Sequence, residues 1–289
     1  MSSCSSGSVA TGTAHLLATR AGGVLTLTLN RPEVRNAFSR EMLEALAAML
    51  DFAAGARDIR VVVLAGAGGT FCAGGDLTRL AAGESIFGPA DAPAVRLAAQ
   101  KALQRATVVR LRELDKPSIA LIEGAAVGAG LGLALACDLR YAGASAMLRT
   151  GFGRLGLAGD FGCTWSLNRL VGASRALELL YLSPPLTAAR AQELGLVTET
   201  VPDERLGTHV SELAERLTAV PPDAVKAMKR HVARAHDHDL ASCADAEAEW
   251  HVRLLESGAH RAAVRAITRG RVRAAGTLAT PENSGAKQS

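Results

Sequence analysis

Two glycine-rich segments, each directly behind a short apolar run, constrain this chain most. The first, Ala65-Gly66-Ala67-Gly68-Gly69-Thr70-Phe71-Cys72-Ala73-Gly74-Gly75-Asp76-Leu77, follows the apolar run Ile59–Leu64. The second, Ile122-Glu123-Gly124-Ala125-Ala126-Val127-Gly128-Ala129-Gly130-Leu131-Gly132, continues the run Ser118–Ile122. Short apolar runs rich in Val and Ile and closed by glycine predict buried strands. Strands apolar along both faces belong in a mostly parallel sheet covered by helices. The expected fold class is therefore α/β, with both loops at strand ends.

The rest of the pattern agrees. Val24–Leu29 predicts a strand that the Asn30-Arg31-Pro32 breaker ends, and Ser39 then caps a helix in which Met42, Leu43, Leu46, Met49 and Leu50 recur at helical spacing. Ala94–Leu114 predicts a helix, Leu131–Cys137 another, and Leu139–Tyr141 a further short strand. Beyond Leu206 strands stop, and Asp203–Thr218, Asp223–His236, Leu240–Glu256 and His260–Arg269 read as helices. The expected organisation is a flexible leader (1–14), a core (15–205), a helical region (206–270) and a flexible tail (271–289). With 48% apolar residues the bulk of the chain cannot be disordered, and with only 3% aromatics its core must be built from Ala, Leu, Val and Gly. No apolar run reaches the roughly 18 residues of a spanning helix, and the Ser/Gly-rich start lacks a secretory pattern. A cytoplasmic location with no membrane contact is the expectation.

The net charge of +4 comes from dispersed arginines without the tract of a nucleic-acid tail, so a nucleic-acid partner is not expected. Cys4, Cys72, Cys137, Cys163 and Cys243 are scattered and have no metal-ligand spacing. They read as reduced, mostly buried thiols, and Cys72 has no neighbouring His or Lys to activate it. His231, His236 and His238 lie near Asp237 and Asp239, a grouping that reads as a polar helix end; no metal is expected. Trp165 and Trp250 read as packing residues.

Neither glycine-rich loop carries the Gly-Lys-Ser/Thr ending of a P-loop or the dinucleotide fingerprint. What small residues at strand ends do offer is backbone N–H groups open to a ligand oxygen, and the second loop opens a helix whose positive end favours an anion. Two such loops together point to an oxyanion hole.

Phe71-Cys72-Ala73-Gly74-Gly75-Asp76-Leu77 resembles the signature of the enoyl-CoA hydratase/isomerase (crotonase) superfamily. Further segments resemble it in order: Leu29-Asn30-Arg31-Pro32 with Asn36-Ala37, Lys116-Pro117 with Glu123-Gly124, Gly128-Ala129-Gly130 with Cys137-Asp138, Leu155–Leu170 and Ala189–Pro202. The resemblance spans about residues 15–270 and implies a spiral of ββα units with a C-terminal helical trimerisation region. It also implies acyl-CoA thioester substrates, a homotrimer or a hexamer made of two trimers, and no cofactor beyond the coenzyme A that arrives with the substrate. Carried over by position, it makes the Gly75 and Ala129 N–H groups the oxyanion donors. Arg35, Ala37, Ala73, Asp76 and Leu77 fall at substrate- or coenzyme-A-binding positions.

The chain departs from the hydratase pattern at two places. Where hydratases carry two glutamates, this sequence has Gly132 and Phe152, and neither can move a proton. Asp160, in Leu155-Gly156-Leu157-Ala158-Gly159-Asp160-Phe161-Gly162-Cys163-Thr164-Trp165, falls where isomerase branches hold a single carboxylate. The resemblance thus implies isomerisation with Asp160 as proton shuttle and Phe152 as an apolar wall. A plainer reading makes Asp160 the cap of a helix starting near Phe161. A branch using such an Asp as a nucleophile with a His base is disfavoured, because no His lies between His15 and His209. An atypical hydratase, a thioester hydrolase, or a non-catalytic or RNA-binding relative are the alternatives.

Overall fold

The computed structural model describes residues 7–89 and 91–277, with side chains as far as 268. Strands β1 (Gly7–Val9), β2 (Leu16–Ala21) and β3 (Val24–Leu29) precede α1 (Arg40–Gly55). Then come β4 (Val61–Gly66), α2 (Leu77–Ala81), α3 (Pro93–Gln104) and, after a π-helical segment at Arg105–Val109, α4 (Arg110–Glu113). The chain continues through β5 (Ser118–Ile122), β6 (Ala125–Val127), α5 (Ala129–Ala136), β7 (Leu139–Gly143), β8 (Met147–Arg149) and α6 (Cys163–Leu182). It closes with β9 (Leu186–Thr187), α7 (Ala188–Glu193), β10 (Glu199–Val201), α8 (Asp203–Thr218), α9 (Pro222–Arg234), α10 (Leu240–Leu255) and α11 (Gly258–Thr277).

The sequence dictates the larger sheet, ordered β1-β2-β3-β4-β5-β7-β10, through its apolar runs. From β3 to β10 the pairing is parallel, as expected of strands buried on both faces. Alternation along β4 shows the two faces. Val62 and Leu64 enter the main core with α1 and α5, whereas Val61 and Val63 join a second core with Leu206, Val210 and Ala214 of α8. The ββα rhythm is visible in β5-β6-α5 and β7-β8-α6, whose first strand enters the large sheet and whose second enters a small one, β6-β8-β9. The first glycine-rich loop makes a bridge between Cys72 and Ala126 at the edge of that small sheet.

Ser39 caps α1 as expected, its Oγ accepting the Met42 N–H at 3.1 Å. Asp138 is structural: its Oδ2 accepts from both the N–H and the hydroxyl of Ser118, each at 2.9 Å, and so ties the start of β5 to that of β7. Three expected boundaries change. β1 lies inside the proposed leader, where it pairs antiparallel with β2. The helical region was expected from 206, but α8 belongs to the first compact unit, which runs to Val220, because its apolar stripe covers the sheet's second face. The second unit, from Pro221, contains α9, α10 and α11. The tail was expected from 271, yet α11 continues to Thr277; residues 1–6 and 278–289 lie outside the described residues. Among the described residues no helix is long and apolar enough to cross a membrane.

Candidate active site

The two glycine-rich loops meet because backbone groups stitch them together. Phe71 N–H donates to Glu123 O at 2.7 Å, Cys72 N–H to Ala125 O at 2.9 Å, and Val127 N–H to Cys72 O at 2.9 Å. Small residues make this approach possible. Gly74 adopts φ +80°, and a Cβ placed there would lie 2.5 Å from Val127 O and 3.0 Å from Ala129 N. Gly75 follows one peptide later, so its N–H and that of Ala129 lie within about 7 Å of each other. Ala129 opens α5, where the first N–H groups of a helix have no partner within the helix. Neither N–H has a protein acceptor among the described residues. Two open donors beside a helix N-terminus can hold an anionic oxygen.

A second turn joins them. Asn36 is fully buried; its Nδ2 donates to Ala67 O at 2.8 Å and to Thr70 O at 2.6 Å, which fastens the 31–37 turn onto the first loop. Ala73 N–H donates to Arg35 O and Phe38 N–H to Gly74 O, so the expected coenzyme-A positions Arg35, Ala37 and Ala73 border that loop. Arg35 is exposed and Ala37 buried. Asp76 supports the loop's exit, since its Oδ1 accepts from Arg79 N–H to cap α2 and its Oδ2 faces Arg31 at 3.8 Å. Leu77 is exposed at the start of α2.

The loop carrying Asp160 lies against α5 at Gly132. The space a side chain would need at Gly132 is taken by that loop: a Cβ there would lie 2.6 Å from Phe161 O and 3.1 Å from Asp160 O. Gly132 is three residues past Ala129, about 4.5 Å further along the helix axis. The loop that carries Asp160 is thus pressed by its backbone against α5 where a side chain at 132 would stand. Phe161, with φ +46°, holds that loop in the left-handed region, and its buried ring packs on Phe38 with centroids 4.9 Å apart. Phe152 is buried too, its Cε1 lying 4.0 Å from where a Cβ of Gly128 would be, at the mouth of α5.

Asp160 is half-buried, and its Oδ1 accepts from its neighbour's N–H, that of Phe161, at 2.7 Å and from Gln100 Nε2 at 3.1 Å. Burial holds its carboxyl above the usual range, only partly offset by those two donors. The helix-cap reading does not describe its side chain: α6 starts at Cys163 with Gly162 as cap and no side-chain cap bond, and only the Asp160 carbonyl accepts there. Burial pushes the Cys72 thiol up to about 12, as it does that of Cys163, which disfavours the thiolate at both.

Sequence reasoning passed over Gln100, because a Gln on a helix carries no local signal of what it faces. Trp165, read as a packing residue, is 45% exposed and packs against the Arg169 guanidinium, 3.9 Å above its ring. No cluster of three or more His, Cys, Asp or Glu able to hold a metal occurs among the described residues.

The enoyl-CoA hydratase/isomerase family profile matches residues 19–268. The 1,2-epoxyphenylacetyl-CoA isomerase of Escherichia coli strain K12 is 36% identical over 245 residues, which is 85% of this chain and 92% of that protein. The crystal structure of an enoyl-CoA hydratase from Polaromonas sp. JS666 superposes with a TM-score of 0.82 at 33% identity, covering 88% of this chain and 97% of the other. A protein from Thermobifida fusca YX in complex with acetoacetyl-CoA superposes with a TM-score of 0.78 at 35% identity, covering 84% and 96%. The family profile over residues 19–268, with a relative and solved structures above 30% identity that match nearly full length, places this chain in the enoyl-CoA hydratase/isomerase family of acyl-CoA enzymes, with the crotonase fold.

Proposed function

We propose that the protein isomerises an acyl-CoA thioester, moving a double bond or rearranging a ring-acyl group. The observation that carries this reading is the Asp160 loop filling the space over Gly132, so that α5 has no room there for a proton-transferring side chain of its own. The thioester oxygen would accept from the Gly75 and Ala129 N–H groups. Asp160 Oδ2, whose partner oxygen is occupied by two donors, would take a proton from a carbon of the acyl chain. The electron pair left behind becomes an enolate on the thioester oxygen, where fixed donors stabilise it. Asp160, whose carboxyl proton exchanges with solvent, then protonates another carbon and completes the isomerisation with no net addition. Phe152 and Phe161, both buried, would keep water from the reacting carbons. The 1,2-epoxyphenylacetyl-CoA isomerase among the relatives supports ring-acyl thioesters as one substrate class.

Turnover in heavy water of a panel of enoyl-CoA and ring-acyl-CoA thioesters, followed by mass spectrometry, tests this. The expected product is isomeric with its substrate and carries exchanged deuterium without gain of the elements of water. Net hydration, or release of free coenzyme A, would replace the isomerase reading with the hydratase or hydrolase one.

The oxyanion site has its own test. Gly74→Ala puts a methyl against Val127 O and the Ala129 N–H in a backbone region that alanine disfavours. Turnover is expected to fall about 10²-fold through displacement of a donor, with a smaller change in KM. Wild-type turnover in this variant would move the oxyanion site elsewhere.

A further inference from the structure

We infer that Gln100 is a positioning residue for the proton-transferring carboxylate: its amide holds Asp160 Oδ1 and thereby presents Oδ2 to the acyl chain. This rests on the isomerase reading for its consequence in turnover, but not for the contact itself. Asp160 Oδ1 has two donors of different kinds. The Phe161 N–H, at 2.7 Å, belongs to the same loop and moves with it. Gln100 Nε2, at 3.1 Å, comes from α3, sixty residues earlier, and is the contact that fixes the carboxylate relative to a second element. With both donors on one oxygen, the other oxygen is the one left for a substrate proton.

Glutamine suits this role chemically. A carboxylate only accepts, so toward ionised Asp160 the amide must present its NH₂. Once Oδ2 holds a proton, Oδ1 is still an acceptor and the same NH₂ can keep hold of it, without adding a charge to the site. A leucine has no donor for Oδ1, and a lysine donates but brings a positive charge. The surroundings make Gln100 the side chain through which the carboxylate's charge is tuned. α5, packed against the loop, carries no titratable residue between Ala129 and Ala136, and on the loop's own side the Cys163 thiol is the titratable neighbour, itself pushed up to about 12. The charged residues of α3 are Arg96 and Lys101, and neither contributes to the shift of Asp160. Gln100 is the side chain that does contribute, and it favours the ionised form.

The test compares Gln100→Leu with Gln100→Lys in the full-length protein. In Gln100→Leu, kcat is expected to fall about 10- to 100-fold with KM nearly unchanged, because a misplaced carboxylate affects the reacting step more than binding. The acid limb of its kcat/KM profile should move to higher pH, as loss of a donor disfavours the charged form. In Gln100→Lys the limb should move to lower pH. A residue that merely props up α3 would give both variants the same direction of change. Without any substrate, the titration midpoint of the Asp160 carboxylate, followed by carbon NMR, should rise in Gln100→Leu and fall in Gln100→Lys. An unmoved midpoint in both overturns the proposal whatever turnover does. A moved midpoint together with full turnover in Asp160→Asn would instead sink the isomerase reading and leave the positioning contact standing.

Discussion

Asp160→Asn is expected to lose acyl-CoA isomerisation by about 10² to 10⁴ while keeping acyl-CoA affinity, because Asn matches the shape but cannot carry the proton. The same variant should be more stable than the wild type at neutral pH. Burial raises the Asp160 carboxyl above its ordinary value of 3.8, so folding favours the protonated form. The stabilising contribution of that carboxyl is fully present below the unfolded value and is lost as pH rises through the folded one. At pH 7 the folded protein therefore bears the cost of a partly buried charge, and Asn removes it. Asn can still accept at Oδ1 from Phe161 N–H and Gln100 Nε2, so the loop keeps its two ties. Thermal melts across pH should show a Tm gain at neutral pH that shrinks as pH falls toward 3.8. Greater stability with lost activity is the signature of a strained functional group. If activity and Tm fall together, Asp160 serves the fold first, and the proton shuttle must be sought elsewhere.

How much of this was legible in the sequence depends on where each signal resides. Val24–Leu29 and Ser118–Ile122 coincide with β3 and β5, and Asp203–Thr218 coincides with α8, since strong periodicity and a nearby proline or cap mark such elements. The small sheet was not legible, because β6, β8 and β9 have three, three and two residues and are defined by their partners rather than their own pattern. The helix expected over Ala94–Leu114 is present but contains the π-helical segment at Arg105–Val109, which rotates its buried stripe onto Thr107, Val108 and Leu111. No local pattern marks that insertion. At the site, Gly75, Ala129 and Asp160 could be named from the family resemblance, whereas their relation to Gln100 and Phe161 arises only when α3 and the 158–162 loop pack together. Phe161 in a left-handed backbone conformation runs against its own propensity, and a conflict of that kind is visible only in the folded chain.

Gly132→Glu is expected not to create a hydratase but to damage the fold and the isomerase site together. Every residue of α5 is buried, and the atoms that face Gly132 are backbone: Phe161 O at 2.6 Å, Asp160 O at 3.1 Å and Phe161 C at 3.2 Å from where the Cβ would stand. Backbone atoms cannot rotate away as the end of a long side chain can. Phe161 is further held by the contact of its buried ring with Phe38, so moving its carbonyl also disturbs the core. Overpacking of this kind costs up to about 3 kcal/mol, which for a chain of this size corresponds to a fall in Tm of roughly 6–12 °C. Gly132→Ala isolates the first methyl and should show part of that loss, together with reduced exchange of deuterium into the acyl chain as Asp160 is displaced. A Gly132→Glu protein with wild-type Tm that hydrates an enoyl-CoA would contradict this, for it would mean that the 158–162 loop yields easily. On the geometry present it does not. The absent side chain at 132 is what lets the Asp160 loop lie on α5, so a side chain on the helix and the backbone of the loop compete for one space, and this sequence has filled it with the loop.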